Sequence, residues 1–194
     1  MDFENVSFKY SKKAERNALE NINLHINSGE TIGIIGGTGS SKSTLIQLIS
    51  RLYDTTEGVV KVGGRDVREY DLQTLRNQVA LVLQKNILFS GTIEDNLRWG
   101  DKNATPEEIG SCMQTGSGRG ICPSLPGLSI SPILSRAVPM FPAARSRDFV
   151  LPELCLKKPK ILILDDSTSA VDTKTDALIR SGFKEFIPET TKII

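Results

Sequence analysis

The sequence predicts an α/β fold that has a mainly parallel sheet and an N-terminal antiparallel β layer. Two short apolar runs, Ile32–Ile35 and Ile161–Leu164, have the length and continuity of strands buried on both faces. A glycine-rich turn follows the first run and leads into apolar residues at helical spacing, Leu45–Ile49. A strand, a turn and a helix in this order are the basic unit of an α/β protein.

Composition narrows the class of protein. The chain has 194 residues, and we expect one domain spanning residues 1–194. A net charge of +1 gives no support for nucleic acid as a partner. The three cysteines lack the spacing of a metal site, and no apolar run is long enough to cross a bilayer.

The remaining elements follow from alternation, apolar runs and cap residues. The predicted strands cover residues 2–10, 19–26, 31–35, 59–62, 79–83 and 161–164. Further helices are predicted after the N-cap residues Asp71 and Thr92, and from Thr173 to about Phe186. The two N-terminal strands alternate in polarity and supply the antiparallel layer.

The stretch Gly36–Thr44 has the pattern of a phosphate-binding loop, G-x-x-x-x-G-K-[ST], with one departure. Backbone amides in such a loop cradle an anion at the start of the helix. Lys42 would reach the β- and γ-phosphates of a nucleotide, and the Ser43 hydroxyl would bind Mg²⁺. The departure is Ser41 in place of glycine, which costs roughly 1–2 kcal/mol if its φ is positive. The alternative is an ordinary strand-to-helix turn. The candidate binding residues are Gly36, Gly37, Thr38, Gly39, Ser40, Ser41, Lys42, Ser43 and Thr44.

Polar side chains also follow two of the buried strands. Asp165 and Asp166 come directly after Ile161–Leu164, and Gln84 follows the run Val79–Leu83. The carboxyl ends of strands are the ligand-binding edge of an open α/β sheet. We therefore expect Asp165 to hold the Mg²⁺ of a bound nucleotide.

With these motifs, the chain resembles the nucleotide-binding domain of an ATP-binding cassette (ABC) exporter, over residues 1–109 and 157–194. The resemblance implies a P-loop NTPase core that binds ATP and Mg²⁺, with Tyr10 stacking on the adenine. It assigns Gln84 to sensing Mg²⁺ and to coupling with a membrane domain. Ser169–Asp172 matches the loop that follows the catalytic strand in the family. Simpler alternatives are a strand aromatic for Tyr10, a surface glutamine for Gln84 and a helix cap for Asp172.

The resemblance also implies partners and a location. Two nucleotide-binding domains enclose ATP in this family, and we expect the second to be an unlike one, in a heterodimer. A transmembrane domain that is not present in this chain would carry the exported substrate. The domain would then lie at the cytoplasmic face of the membrane.

Three departures from the family concern hydrolysis. Asp166 stands where the family has the glutamate that polarises the attacking water, and its side chain is one methylene shorter. Because a base must reach its water, we expect slow hydrolysis. The signature that begins Ser-Gly-Gly is missing, and the chain ends before the position of the family's switch histidine. Two alternatives therefore stay open: a regulatory module that binds ATP without hydrolysis, and a non-functional remnant of a decayed gene.

Residues 110–156 are anomalous. They hold six of the nine prolines, all three cysteines and no lysine, and no helical or strand period persists. A shifted reading frame over Ile133–Leu154 permits the run Val-Ser-Gly-Gly-Gln-Lys-Gln, which is the family's signature region. Our hypothesis is that base insertions or deletions scrambled this segment, leaving the family's helical subdomain scrambled or missing. Sequencing the coding DNA tests it, and a confirmed frame that encodes the segment as written would overturn it.

Overall fold

The structure is a computed structural model that describes residues 1–82, 91–116, 150–165, 183 and 187–194. Two compact units are present. The first comprises Met1–Leu81, Lys160–Asp165 and Glu189–Ile194, and the second Val82–Pro159 and Asp166–Pro188. The predicted α/β fold, with a parallel sheet and an antiparallel β layer, is confirmed.

The strands and helices are short. In chain order the strands are β1 (Asp2–Phe8), β2 (Leu19–His25), β3 (Thr31–Ile32), β4 (Glu57–Val62), β5 (Arg65–Asp66), β6 (Val79–Val82), β7 (Ile161–Leu164) and β8 (Thr191–Ile193). The helices are α1 (Lys42–Ile49), α2 (Leu72–Gln78), α3 (Ile93–Leu97), α4 (Pro106–Gly116) and α5 (Val150–Lys157), with a 3₁₀ turn at Val67–Glu69. In the part of the chain that the structure describes, no helix is long and apolar enough to cross a membrane.

The first sheet is antiparallel, with the strand order β2-β1-β4-β5. Strand β1 lies at its centre, where Phe3 pairs with Leu24 of β2 and with Val60 of β4. The pairing of β1 with β4 shifts register between Glu4 and Ser7, which marks a bulge. This sheet is the antiparallel layer that the alternating N-terminal strands predict.

The second sheet has the order β3-β8-β7-β6, and β8 pairs in parallel with both β3 and β7. All four residues of β7 are buried, as expected for a strand covered on both faces. Strand β3 is shorter than its prediction of residues 31–35. Ile34 still donates its N–H to the carbonyl of Ile194 at 2.7 Å, but Ile35 is 99% exposed. The chain leaves the sheet there to begin the glycine-rich loop.

One hydrophobic cluster joins both sheets and helix α1 within the first unit. Helix α1 buries the apolar residues Leu45, Ile46, Leu48 and Ile49, which recur at helical spacing. They pack with residues of β1, such as Phe3, and of β7, such as Ile163. This core holds the start of α1 and the end of β7 within the first unit.

Two helix starts confirm their predicted caps. The Asp71 carboxylate accepts a hydrogen bond from the Thr74 N–H at 2.9 Å, and this bond holds the pKa of Asp71 below its ordinary value. The Thr92 hydroxyl accepts from the Asp95 N–H at 3.0 Å, while Asp95 accepts from the Thr92 N–H at 2.8 Å. This reciprocal pair is a capping box, which satisfies two backbone donors at the start of α3.

The two ends of the anomalous segment 110–156 are helical. Helices α4 and α5 pack against each other within the second unit. Ile109, Cys112 and Leu154 on these helices are buried. No helical or strand period persists in the sequence of this segment. The two helices bury their apolar residues through contacts between distant parts of the chain, which no local pattern records.

The thiols of Cys112 and Cys155 meet between α4 and α5. Cys112 Sγ donates a hydrogen bond to Cys155 Sγ at 2.6 Å, and both cysteines are free thiols. Burial, together with the neighbouring Cys155, raises the pKa of Cys112 to about 12, from an ordinary 9.0. The thiolate, which is the nucleophile, is therefore scarce at Cys112 near neutral pH.

We predict that Cys112 in the folded protein resists alkylation at pH 8. With a pKa of about 12 its thiolate fraction is about a thousandfold below that of an ordinary thiol. The measurement is iodoacetamide labelling over time, followed by peptide mass spectrometry, in buffer and in concentrated urea. Labelling of Cys112 at equal rates in both conditions would contradict this burial.

Candidate functional site

The glycine-rich loop connects β3 to α1 and turns tightly at its middle. The Ser40 N–H donates to the Gly37 carbonyl at 3.2 Å, and Gly39 adopts a left-handed φ of 81°. A β-carbon built on Gly36 would lie 2.6 Å from Ser40 Oγ, so the loop folds closely on itself there. The left-handed φ explains the glycine at position 39, whereas the Ser40 hydroxyl near Gly36 belongs to a side chain that can rotate. The loop leads directly into the start of α1 at Lys42, where the helix dipole favours an anion.

Ser41 stands at the N-cap of α1 with φ 61° and ψ 23°, in the left-handed region. Its side chain makes no capping hydrogen bond to the helix. The predicted steric cost depends on a positive φ at the position where the pattern has glycine, and the φ of Ser41 is positive. The serine β-carbon carries the steric cost of this conformation.

We predict that Ser41→Gly stabilises the protein by about 0.5–1 kcal/mol. Glycine removes a steric cost of roughly 1–2 kcal/mol, and its greater freedom in the unfolded chain offsets part of this gain. Urea unfolding provides the measurement. Ser40→Gly is the matched control, since Ser40 has no positive φ and gains nothing from glycine. A Ser41→Gly protein no more stable than the Ser40→Gly protein would refute the strain.

Lys42 is the first residue of α1, and its side chain lies back over the loop. The ammonium donates hydrogen bonds to the carbonyl of Gly36 at 2.6 Å and to that of Gly37 at 3.1 Å. The cation is therefore placed beside the same turn whose amides and helix start attract an anion. A lysine, a helix N-terminus and close glycine backbone are the three parts of a phosphate-binding site.

Ser43 meets Asp165 across the parallel sheet. The Ser43 hydroxyl donates to Asp165 Oδ1 at 3.3 Å, although the two residues are 122 positions apart. Strand β3 leads to the loop and Asp165 directly follows β7, with β8 between these strands in the sheet. Parallel strands end at the same edge, so the fold brings the hydroxyl and the carboxylate together.

These two oxygens fit Mg²⁺. The ion prefers hard oxygen ligands and uses one or two protein groups, leaving its other positions to phosphate oxygens and water. A serine hydroxyl and a carboxylate that already meet at hydrogen-bond distance form this kind of donor set. The loop amides and Lys42 would hold the phosphates beside it.

Tyr10 contacts the first turn of α1. Its hydroxyl shares a hydrogen bond of 2.7 Å with Thr44 Oγ1, on the first turn of α1. The ring also contacts Phe8 and Tyr53, with centroids 4.9 and 5.3 Å away. The structure therefore places this aromatic ring against the same helix start that bears Lys42 and Ser43.

Most of the predicted site residues lie in the first unit: Tyr10, Gly36–Thr44 and Asp165. Gln84 and Asp166 lie outside the described residues, and so does Ser169–Asp172. Sequence reasoning missed two features: the Thr44 hydroxyl as the partner of Tyr10, and the contact of Tyr53 with the Tyr10 ring. The sequence carries no signal for either, because no motif or strand end relates Tyr10 to Thr44 or to Tyr53.

Comparisons with known proteins show the family of this chain. The sequence profile described as ABC transporter matches residues 19–169, which is more than half of the chain. A multidrug efflux ATP-binding/permease protein of Mycobacterium bovis (strain BCG / Pasteur 1173P2) is 38% identical over 194 residues, 100% of this chain and 16% of the relative. The ABC transporter ATP-binding protein YknU of Bacillus subtilis (strain 168), uncharacterized, is 35% identical over 192 residues, 99% of this chain and 32% of the relative.

A solved structure shows the same fold. The structure of a bacterial Atm1-family ABC exporter with ATP bound superposes with a TM-score of 0.85 and 26% identity. The superposition covers 99% of this chain and 33% of that one. The chain thus spans between about a sixth and a third of the proteins it matches.

Fold, loop and matches together define a phosphate-loop nucleotide-binding domain. The chain belongs to the ABC transporter family of ATPases, as an ATP-binding domain homologous to multidrug exporters. The matched range contains residues 110–156, whose departure from the family pattern stays a prediction.

Proposed function

We propose that this chain binds MgATP and drives substrate export across a membrane through a partner transmembrane domain. The approach of Ser43 Oγ to Asp165 Oδ1, at 3.3 Å, is the observation that carries the proposal. Two Mg²⁺-binding groups from distant parts of the chain meet beside a lysine that stands at a helix start. An ordinary strand-to-helix turn would not need this convergence.

Each site residue then has a role. The loop amides and Lys42 bind the phosphates, with the ammonium beside the carbonyls of Gly36 and Gly37. Ser43, Gln84 and Asp165 hold Mg²⁺, which when bound neutralises charge on the β- and γ-phosphates. Tyr10 stacks on the adenine, since its ring is 58% exposed while its hydroxyl is fixed on Thr44. Asp166, as base, and Gln84 serve the hydrolytic step.

The name of one relative supports a membrane partner. The Mycobacterium bovis relative is named as both an ATP-binding protein and a permease, and this chain spans 16% of it. We infer that a transmembrane domain and a second, unlike nucleotide-binding domain complete the transporter. The domain then lies at the cytoplasmic face of the membrane, where ATP is available.

We predict that Asp165→Asn removes most of the gain in ATP affinity that Mg²⁺ provides. The amide keeps the shape of the side chain but loses the charge that attracts the ion, so we expect a loss of about tenfold in MgATP affinity. The measurement is calorimetric titration with ATP, with Mg²⁺ and with EDTA.

Asp101→Asn is the matched control for this prediction. It makes the same change of charge, and among the described residues the Asp101 carboxylate accepts one hydrogen bond, from the Asn103 N–H at 2.9 Å. An asparagine can accept the same bond. Equal Mg²⁺ dependence in the Asp165→Asn, Asp101→Asn and unaltered proteins would remove the case for a metal site at Asp165.

A second candidate is a regulatory module that binds ATP without hydrolysing it. The short Asp166 side chain, in place of glutamate, favours this candidate. Phosphate release at saturating MgATP separates the two: measurable turnover by this chain supports the transport ATPase, and binding without turnover supports the module. If no Mg²⁺-dependent binding occurs, only the remnant of a decayed gene remains.

A further inference from the structure

Three aromatic rings form a cluster beside the loop, which we call the aromatic cluster: Phe8, Tyr10 and Tyr53. Each ring contacts both others, with centroid distances of 4.9, 5.3 and 5.4 Å. Tyr10 meets Phe8 at an interplanar angle of 81° and Tyr53 at 88°. Edge-to-face pairs at such distances are the favoured geometry of aromatic rings, because the positive edge of one ring meets the negative face of another.

The three aromatic residues differ in solvent exposure. Phe8 is 4% exposed and belongs to the hydrophobic core. Tyr10 and Tyr53 are 58% and 43% exposed, so burial does not explain why a large ring stands at either position. The two exposed rings come from separate segments, one after β1 and the other after α1. Their centroids lie 5.3 Å apart, and Tyr10 also bonds to Thr44 in the first turn of α1.

Tyr10 is held at both of its ends. Its hydroxyl bonds to Thr44 on α1, and its ring lies against Tyr53 and Phe8. Phe8 belongs to the same strand region as Tyr10 and cannot alone fix the ring against α1. Tyr53 lies four residues after the end of α1 and therefore ties the Tyr10 ring to that helix.

We propose that Tyr53 is a positioning residue for nucleotide binding, which holds the Tyr10 ring in the orientation on which the adenine stacks. The proposal rests on the proposed function of Tyr10. The Tyr53 ring contacts the rings of Tyr10 and Phe8, so we expect its contribution to concern the base and not the phosphates. The loss of the Tyr53 ring should therefore leave the affinity for a ligand with phosphates but no base unchanged.

The experiment compares ATP with inorganic tripolyphosphate, which carries three phosphates and no base. Calorimetric titrations with Mg²⁺ give the two affinities for the unaltered chain and for Tyr53→Ala, Tyr53→Phe, Tyr10→Ala and the double variant. We expect Tyr53→Ala to weaken ATP about 3- to 10-fold, the usual range for one aromatic pair. Tripolyphosphate affinity should stay within about twofold, and Tyr53→Phe should retain ATP affinity because its ring is kept.

The double variant supplies a readout that general damage would not reproduce. If Tyr53 acts through Tyr10, Tyr53→Ala has no further effect on ATP affinity when Tyr10 is already alanine. Equal losses for ATP and tripolyphosphate, or the same loss in the Tyr10→Ala background, would overturn the positioning role. Should Tyr53→Ala fail to fold, Tyr53→Leu keeps the apolar volume without the aromatic edge, and the same outcomes apply to it.

The failure of this proposal and that of the proposed function have different signatures. An unaltered chain that binds neither ATP nor tripolyphosphate refutes nucleotide binding, and the positioning role with it. If the unaltered chain binds ATP more tightly than tripolyphosphate, and the Tyr53→Ala protein has the same ratio of affinities, only the role of Tyr53 is refuted.

Discussion

Lys42→Ala is expected to lower the affinity for MgATP by at least about 100-fold. The Lys42 ammonium stands 2.6 and 3.1 Å from the carbonyls of Gly36 and Gly37, at the turn where phosphates would bind. A hydrogen bond to a charged group contributes roughly 1.5–3 kcal/mol, and lysine would make two of them to the phosphate oxygens. About 3 kcal/mol corresponds to a loss of more than 100-fold in the dissociation constant. Titration with a fluorescent ATP analogue measures it.

Lys61→Ala is the matched control for the loss of one positive charge. The Lys61 ammonium pairs with the Glu4 carboxylate, at 2.6 and 2.8 Å, and lies on the antiparallel sheet. Its removal changes the net charge equally and should leave ATP affinity within about twofold, because screened surface charges act weakly at a distance. Comparable affinities of the Lys42→Ala and Lys61→Ala proteins would mean that the loop is not the phosphate site.

Two rules are enough to predict from the sequence where Asp165 lies in the sheet. A buried apolar run predicts a strand, and the carboxyl ends of parallel strands share an edge. The meeting of Ser43 with Asp165 follows from these rules and from the loop pattern. Local patterns predict a site well when its residues stand at the ends of regular elements.

The aromatic cluster could not be predicted from strand patterns or motifs. Tyr53 follows α1 without any motif, and its contact with Tyr10 depends on how the chain turns after the helix. The strain at Ser41 is an intermediate case. The pattern identified the position, but only the observed φ of 61° shows that serine is held in the left-handed region. Side-chain contacts between irregular segments are set by tertiary packing, which has no sequence period.

The same limit applies to the fold. Strand β3 ends at Ile32 and not at Ile35, because the loop must leave the sheet before its glycines. Helices α4 and α5 order the ends of a segment in which no period persists, because each buries its apolar residues against the other. Sequence periodicity predicts a helix or strand that buries one continuous apolar face. It fails where one or two tertiary contacts determine whether the element forms.

The bulge in strand β1 shows how closely one glycine can determine a sheet. Glu4 pairs with Val59 and Ser7 with Glu57, so Gly58 alone lies opposite Asn5 and Val6. Gly58 has a φ of 75°, and a β-carbon there would come within 3.0 Å of the Glu4 and Asn5 backbone. Two backbones thus approach where only glycine fits.

Gly58→Ala is therefore expected to destabilise the protein by about 3–4 kcal/mol, which is a large part of the stability of an ordinary domain. The left-handed φ contributes roughly 1–2 kcal/mol and the clash with rigid backbone a further 1–3 kcal/mol. Urea unfolding measures the change.

Gly64→Ala separates the two contributions. Gly64 has nearly the same φ, 78°, but a β-carbon there meets nothing within 4 Å. Its substitution should cost only the conformational part, about 1 kcal/mol. If both variants lose the same free energy of unfolding, the close approach of β1 to Gly58 contributes nothing. If Gly58→Ala loses the larger amount, the bulge fixes the centre of the antiparallel sheet, from which the chain leads two residues beyond β1 to Tyr10.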